Sequence, residues 1–80
     1  MKTVLSKKNY DEVIDFLDRQ CELFRKRCEE YVKLVCDAEK EGDMELFKRR
    51  YKTWSIYENY YDAALSIRTH FRIEFEVRKK

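Results

Sequence analysis

Between Asn9 and Lys40 an apolar or aromatic residue returns at alternating steps of four and three: Tyr10, Ile14, Leu17, Cys21, Phe24, Cys28, Tyr31, Val35 and Ala38. Such a row lies on one face of an α-helix and is the pattern of a helix packed lengthwise against another. Asn9 is a good N-cap residue, Glu12 stands three positions later as in a capping box, and Asp11 and Asp15 add negative charge near the start. The pattern therefore predicts a first helix over 9–40. At Glu41-Gly42-Asp43 the chain places its only Gly, suited to a left-handed helix terminus, beside an Asp able to cap a second helix. A tight turn over 41–43 predicts an antiparallel helical hairpin.

The second helix is expected over 44–69, with a main row of Met44, Phe47, Tyr51, Trp54, Tyr61 and Leu65, interrupted by Glu58 and ended by Arg68. Matching levels equally distant from Gly42 sets Glu58 opposite Lys26, and Arg68 near Asp15 and Asp18, so these charges are expected to pair within the hairpin. From Phe71 to Val77 the period changes to two, which predicts a C-terminal β-strand; a continued helix with a Glu74–Arg78 pair is the alternative. Residues 1–8 form an extended arm that the hairpin would bring beside this strand, as an antiparallel ribbon. The expected fold is mainly α: one domain over 1–80, a two-helix hairpin with a short C-terminal strand.

Each helix carries a second apolar row: Phe16, Leu23 and Leu34 on the first, with Val13 at its margin, and Ile56, Tyr60, Ala63 or Ala64, Ile67 and Phe71 on the second. A helix in an isolated hairpin needs only one buried stripe. Two hairpins packed as a homodimeric four-helix bundle would bury both rows. The competing occupant is a different protein. The interface residues expected on this reading are Ile56, Tyr57, Tyr60, Ile67, Phe71, Phe16, Leu23 and Leu34.

Composition narrows the classes. With 80 residues, 42% charged, one Gly and no Pro, the chain has the profile of long helices and a core small enough that association is expected. A net charge of +2 gives no global pull toward nucleic acid or anionic lipid. Local basic clusters, Arg25, Lys26 and Arg27 with Lys48, Arg49 and Arg50, stand near Phe47, Tyr51, Trp54, Tyr57, Tyr60 and Tyr61, a mixture that a single-stranded nucleic acid or an acidic partner could use. Glu29, Glu30, Asp37, Glu39, Glu41 and Glu45 offset them, and Tyr, Trp and Arg are also what protein interfaces favour. Basic Lys2, Lys7, Lys8, Arg78, Lys79 and Lys80 gather at the open end, as solubilising charge or as a docking patch for an acidic partner.

The candidate chemistry is thin. Cys21, Cys28 and Cys36 are spaced by seven and eight, which is not a zinc pattern, and Cys21 and Cys28 lie about 10 Å apart along one helix, too far for a disulfide. Three thiols and no leader segment fit a reduced, cytoplasmic location, and no apolar run is long enough to span a membrane. Cys36 and the single His70 fall at opposite ends of the hairpin, and no elbow or Gly-rich phosphate loop is present. The expected function is a non-catalytic module, needing no cofactor or metal, that binds a protein as adaptor, regulator or inhibitor. The alternatives are a nucleic-acid binder, or a compact blocker of a nucleic-acid enzyme such as a mobile element would encode.

Overall fold

The computed structural model describes residues 2–78. Four elements succeed one another: β1 (Thr3–Leu5), α1 (Lys7–Glu41), α2 (Met44–Glu74) and β2 (Phe75–Val77). Two long antiparallel helices form a single layer, and the chain extends 61 × 19 × 11 Å. The Lys79 and Lys80 portion of the open-end basic group lies outside the described residues.

The first helix begins at Lys7, two residues earlier than the Asn9 capping box implied. Ser6 is the N-cap, and its Oγ accepts the Asn9 backbone N–H at 3.2 Å. Leu5 and Tyr10 occupy the positions of a hydrophobic staple around that cap, both half-buried. Lys7 and Lys8, the wrong charge for a helix start, masked this signal; Lys7 is instead neutralised by Asp11 at 2.7 Å. The turn matches the expectation. Gly42 has φ 75°, its N–H donates to Glu39 O at 3.1 Å, and Asp43 N–H donates to Ala38 O at 3.2 Å, the paired bonds of a Schellman motif. Asp43 then caps α2 through its Oδ1, which accepts the Leu46 N–H at 3.0 Å. No side chain approaches the space a Cβ would take at Gly42, so the cost of Gly42→Ala is backbone strain alone. Thermal unfolding should report a loss of about 1 kcal/mol.

Every member of the first-helix row is buried or half-buried, with Leu17, Cys21 and Ala38 the most enclosed. On α2 the seam is rotated from the expected row. It runs Phe47, Arg50, Trp54, Tyr57, Tyr61, Ala64, Arg68 and Phe71, all buried or half-buried, whereas Met44 and Tyr51 are exposed. Two arginines hold this line because their apolar stems can lie in the seam while their heads find acceptors. Arg50 Nη1 donates to Leu34 O at 2.8 Å and Arg68 Nη1 to Asp18 Oδ1 at 3.0 Å. The Arg68–Asp18 pair is as level matching anticipated; among the described residues Glu58 makes no ion pair with Lys26. Aromatic contacts close the seam at successive levels, Tyr10 with Phe71 at 5.2 Å and Tyr31 with Tyr57 at 5.5 Å between ring centroids.

The C-terminal strand is shorter than 71–77. Phe71 continues the three-four row of α2 and packs on Tyr10, so burial keeps the helix going to Glu74, and only Phe75–Val77 is strand. Its pairing is parallel, with Thr3, Val4 and Leu5 beside Phe75, Glu76 and Val77, not antiparallel as the hairpin direction implied. A parallel pair needs a long crossover, which the whole hairpin supplies. One strand must therefore reverse direction against its own helix. Phe75, stacked on Phe71 with centroids 4.7 Å apart, stands at the α2 end of that ribbon.

Candidate interaction surface

The rotation of α2 decides what the molecule shows to solvent. Phe16, Leu17, Gln20 and Phe24 of α1 line one groove with Tyr60, Ala63, Ala64 and Ile67 of α2, enclosing about 270 Å³ along an almost wholly apolar surface. The two second rows thus meet on the same side of the hairpin. Phe16 is 53% exposed, Tyr60 52% and Ile67 56%, so their burial is far from complete within one chain. Leu23 and Ile56 extend the same face, also exposed, and Leu34 stands at its loop end. Tyr60 is braced by Phe24 at 5.5 Å and by the edge of Tyr57 at 6.3 Å, so its ring is held rather than free. Beyond Ile67 a second apolar hollow continues to Phe71 and Phe75, with His70 and Glu74 at its rim.

Tyr57 and Phe71, expected among the interface residues, are half-buried in the helix–helix seam against Tyr31 and Tyr10, and Phe71 also lines the second hollow. The remaining expected interface residues, Ile56, Tyr60, Ile67, Phe16, Leu23 and Leu34, are all exposed. Ala63 and Ala64, the alternatives expected in the second row, both line the groove, and Leu17, Gln20 and Phe24 complete it from outside that row; Gln20 is legible as the neighbour of Phe16 at helical spacing.

The opposite side has different chemistry. There Asp18, Cys21, Glu22 and Arg25 meet Tyr61, Leu65 and Arg68 in a groove of about 250 Å³ lined by charge. Arg25 pairs with Glu22 at 2.6 Å and with Glu29, and Arg27 pairs with Glu30 at 3.2 Å. The hydrogen bond to Arg25 draws the Glu22 carboxyl below its usual range, and Glu22 in turn raises the Arg25 guanidinium. Two of the three basic residues of the first cluster are therefore already neutralised by neighbours on their own helix. In the second cluster Arg50 is turned into the seam, while Lys48 and Arg49 are exposed. The clusters do not merge into one cationic track. Along α2 Phe47 stacks on Tyr51 with centroids 6.0 Å apart, Tyr51 meets Trp54 in a tilted contact at 5.5 Å, and Tyr51 is half exposed. Trp54 Nε1 is buried without an acceptor among the described residues.

The thiols differ sharply in setting. Cys21 is buried, Cys28 half-buried and Cys36 exposed, and none is bonded to another. Burial, reinforced by Glu58, Asp62 and Glu29, pushes the Cys28 thiol above its ordinary value. At mildly alkaline pH less of it is thiolate, which is the reactive form. Timed alkylation read by mass spectrometry should modify Cys36 first, Cys28 well after it, and Cys21 only on unfolding. Among the described residues no three His, Cys, Asp or Glu side chains gather as metal ligands, and no helix is long and apolar enough to cross a membrane. Set against protein families, curated proteins and solved structures, the chain matches none of them.

Proposed function

We propose that this chain is a non-catalytic interaction module of the cytoplasm, which closes its apolar face with a second copy to form a four-helix bundle and acts on other proteins as an adaptor, regulator or inhibitor. The observation that carries this reading is the meeting of both second rows in one apolar groove flanked by exposed Phe16, Tyr60 and Ile67. A stable domain is built from at least two packed layers, and one hairpin is a single layer.

Surface area supports the same reading. A folded monomer of 10.0 kDa is expected to expose about 5,200 Å², and this chain exposes 6340 Å². The difference, about 1,100 Å², is comparable to the roughly 800 Å² that each partner loses in a standard interface. Among the described residues only Leu17, Cys21, Ala38 and Ala64 are buried in one chain, and no large side chain is fully enclosed. A second copy laid on the groove supplies the missing layer. Tyr51, half exposed and flanked by the half-buried Phe47 and Trp54 on the helix side shared by Tyr61 and Leu65, then stays outside the bundle for a different protein, a residue type favoured at interface hot spots. Free thiols fit a reducing compartment.

The nucleic-acid reading is weaker, because Arg25 and Arg27 are paired with carboxylates and Arg50 with a carbonyl. A tagged pull-down from source lysate, with half the lysate treated with nuclease, separates the two. Specific protein partners retained after nuclease, and lost with Tyr51→Ala, support the module. Partners that all vanish with nuclease overturn it in favour of nucleic acid.

A further inference from the structure

We infer that the two copies pack head to tail, the loop tip of each hairpin lying over the open, β-ribbon end of the other. This rests on the dimeric reading and adds the direction of its two-fold axis. Two observations fix that direction: where the apolar face is centred, and how charge is distributed along the long axis.

The apolar groove spans the levels from Phe16 and Ile67 to Phe24 and Tyr60, with exposed Leu23 beside it and exposed Ile56 extending the face toward the loop. Its centre lies close to the level of Leu23 and Tyr60. A two-fold axis through that point, perpendicular to the helices, superimposes apolar on apolar. It also carries the level of Glu41 onto that of Ser6, since the two stand at similar distances along α1 on either side of the centre. The alternative axis, parallel to the helices, would set loop tip beside loop tip and ribbon beside ribbon.

Charge separates these alternatives. The loop tip, residues 37–45, holds Asp37, Glu39, Glu41, Asp43 and Glu45 against Lys40 alone. The described part of the open end, residues 2–8 and 74–78, holds Lys2, Lys7, Lys8 and Arg78 against Glu74 and Glu76, with Lys7 engaged by Asp11. Behind that end, Asp18 lines the charged groove on the other face with Arg68 and Asp11 is engaged by Lys7, but Glu12, four residues before Phe16, and Asp15 are exposed acids, so the selection rests chiefly on keeping the two acidic tips apart. Parallel packing would bring two acidic tips together and two basic ends together. Head-to-tail packing sets each acidic tip against a basic end, and like-charge juxtaposition is what selects against the wrong arrangement.

Pulsed electron–electron spin resonance tests this directly. Glu41→Cys is exposed at the tip; it is spin-labelled in a Cys28→Ser, Cys36→Ser background, with the buried Cys21 retained and helicity checked by circular dichroism. Glu41 stands seventeen residues beyond Phe24, about 26 Å at the rise of an α-helix, so head-to-tail packing puts the two labels about 50 Å apart. Sedimentation equilibrium of the same sample gives the mass. A mass of two chains with a distance near 50 Å supports the inference. A mass of two chains with labels within about 25 Å overturns head-to-tail packing and leaves the dimer standing. A mass of one chain overturns the dimer and the inference with it.

Discussion

Replacing Tyr60 by Asp should convert the proposed dimer to single chains while leaving the hairpin helical. Tyr60 is exposed in one chain, yet its ring is fixed by Phe24 and Tyr57 at the middle of the apolar face. A carboxylate there meets water in the separated chain and loses it in the proposed bundle, and the nearest cation on that face, Arg27, is already paired with Glu30. An uncompensated charge at a desolvated contact costs about 3–5 kcal/mol, so the dimer dissociation constant should rise by at least about a hundredfold. Asn59→Asp, one position round the helix and exposed, adds the same charge away from the groove and should leave the mass unchanged. Size exclusion with light scattering reads both variants. Equal masses for the two would show that the Tyr60 face is not the contact.

The second large effect belongs to the hairpin itself. Ala38 is 0% exposed, and its carbonyl accepts the Asp43 N–H that closes the turn, so the helices come together there with no room to spare. Ala38→Leu adds three carbon atoms at that crossing and must push α2 away from α1 or break the cap. Overpacking of this kind costs about 1–3 kcal/mol, which for a chain of this size lowers the melting temperature by roughly 5–20 °C. Val32→Ala, at a side chain 44% exposed, should change it by less than about 0.5 kcal/mol. Melts monitored by circular dichroism compare the two. A near-silent Ala38→Leu would mean that the helices do not meet at that level.

Much of this architecture can be read from residue order, and the exceptions have physical causes. The α1 row agrees with the structure throughout, because each of its nine positions is apolar or aromatic and the period alone identifies the face. Gly42 and Asp43 identify the turn for the same reason, since a left-handed terminus and a capping carboxylate each require particular residue types. The α2 seam is harder to see because it passes through Arg50 and Arg68, whose buried stems contradict the ordinary meaning of a charge, and through the small Ala64. A row drawn only through large apolar residues runs through Tyr51 and Leu65 and comes out rotated. That rotation also misplaces Tyr57, which lies in the seam, while leaving Phe16, Tyr60 and Ile67 correctly on the outside.

The ends are less legible. A period of two over four apolar residues is a strand signal, but Phe71 also completes the helical row, and contact with Tyr10 decides between them. Strand direction is not encoded locally at all, because a three-residue parallel pair depends on where the whole hairpin delivers its two ends. The interaction surface lies between these cases. Its residues are visible as a second row on each helix; that both rows fall on one side depends on how α2 is turned about its axis, and only the packed helices fix that.

The proposed dimer makes one hairpin half of a structure. Sedimentation equilibrium of the unmodified chain through the micromolar range, with helicity recorded on the same samples, is the decisive measurement. A bundle of two copies requires a mass twice the 10.0 kDa of one chain, falling on dilution together with helix content as the unpaired layer loses its cover. A mass of one chain at every concentration, with a fully helical and cooperatively melting protein, would refute it.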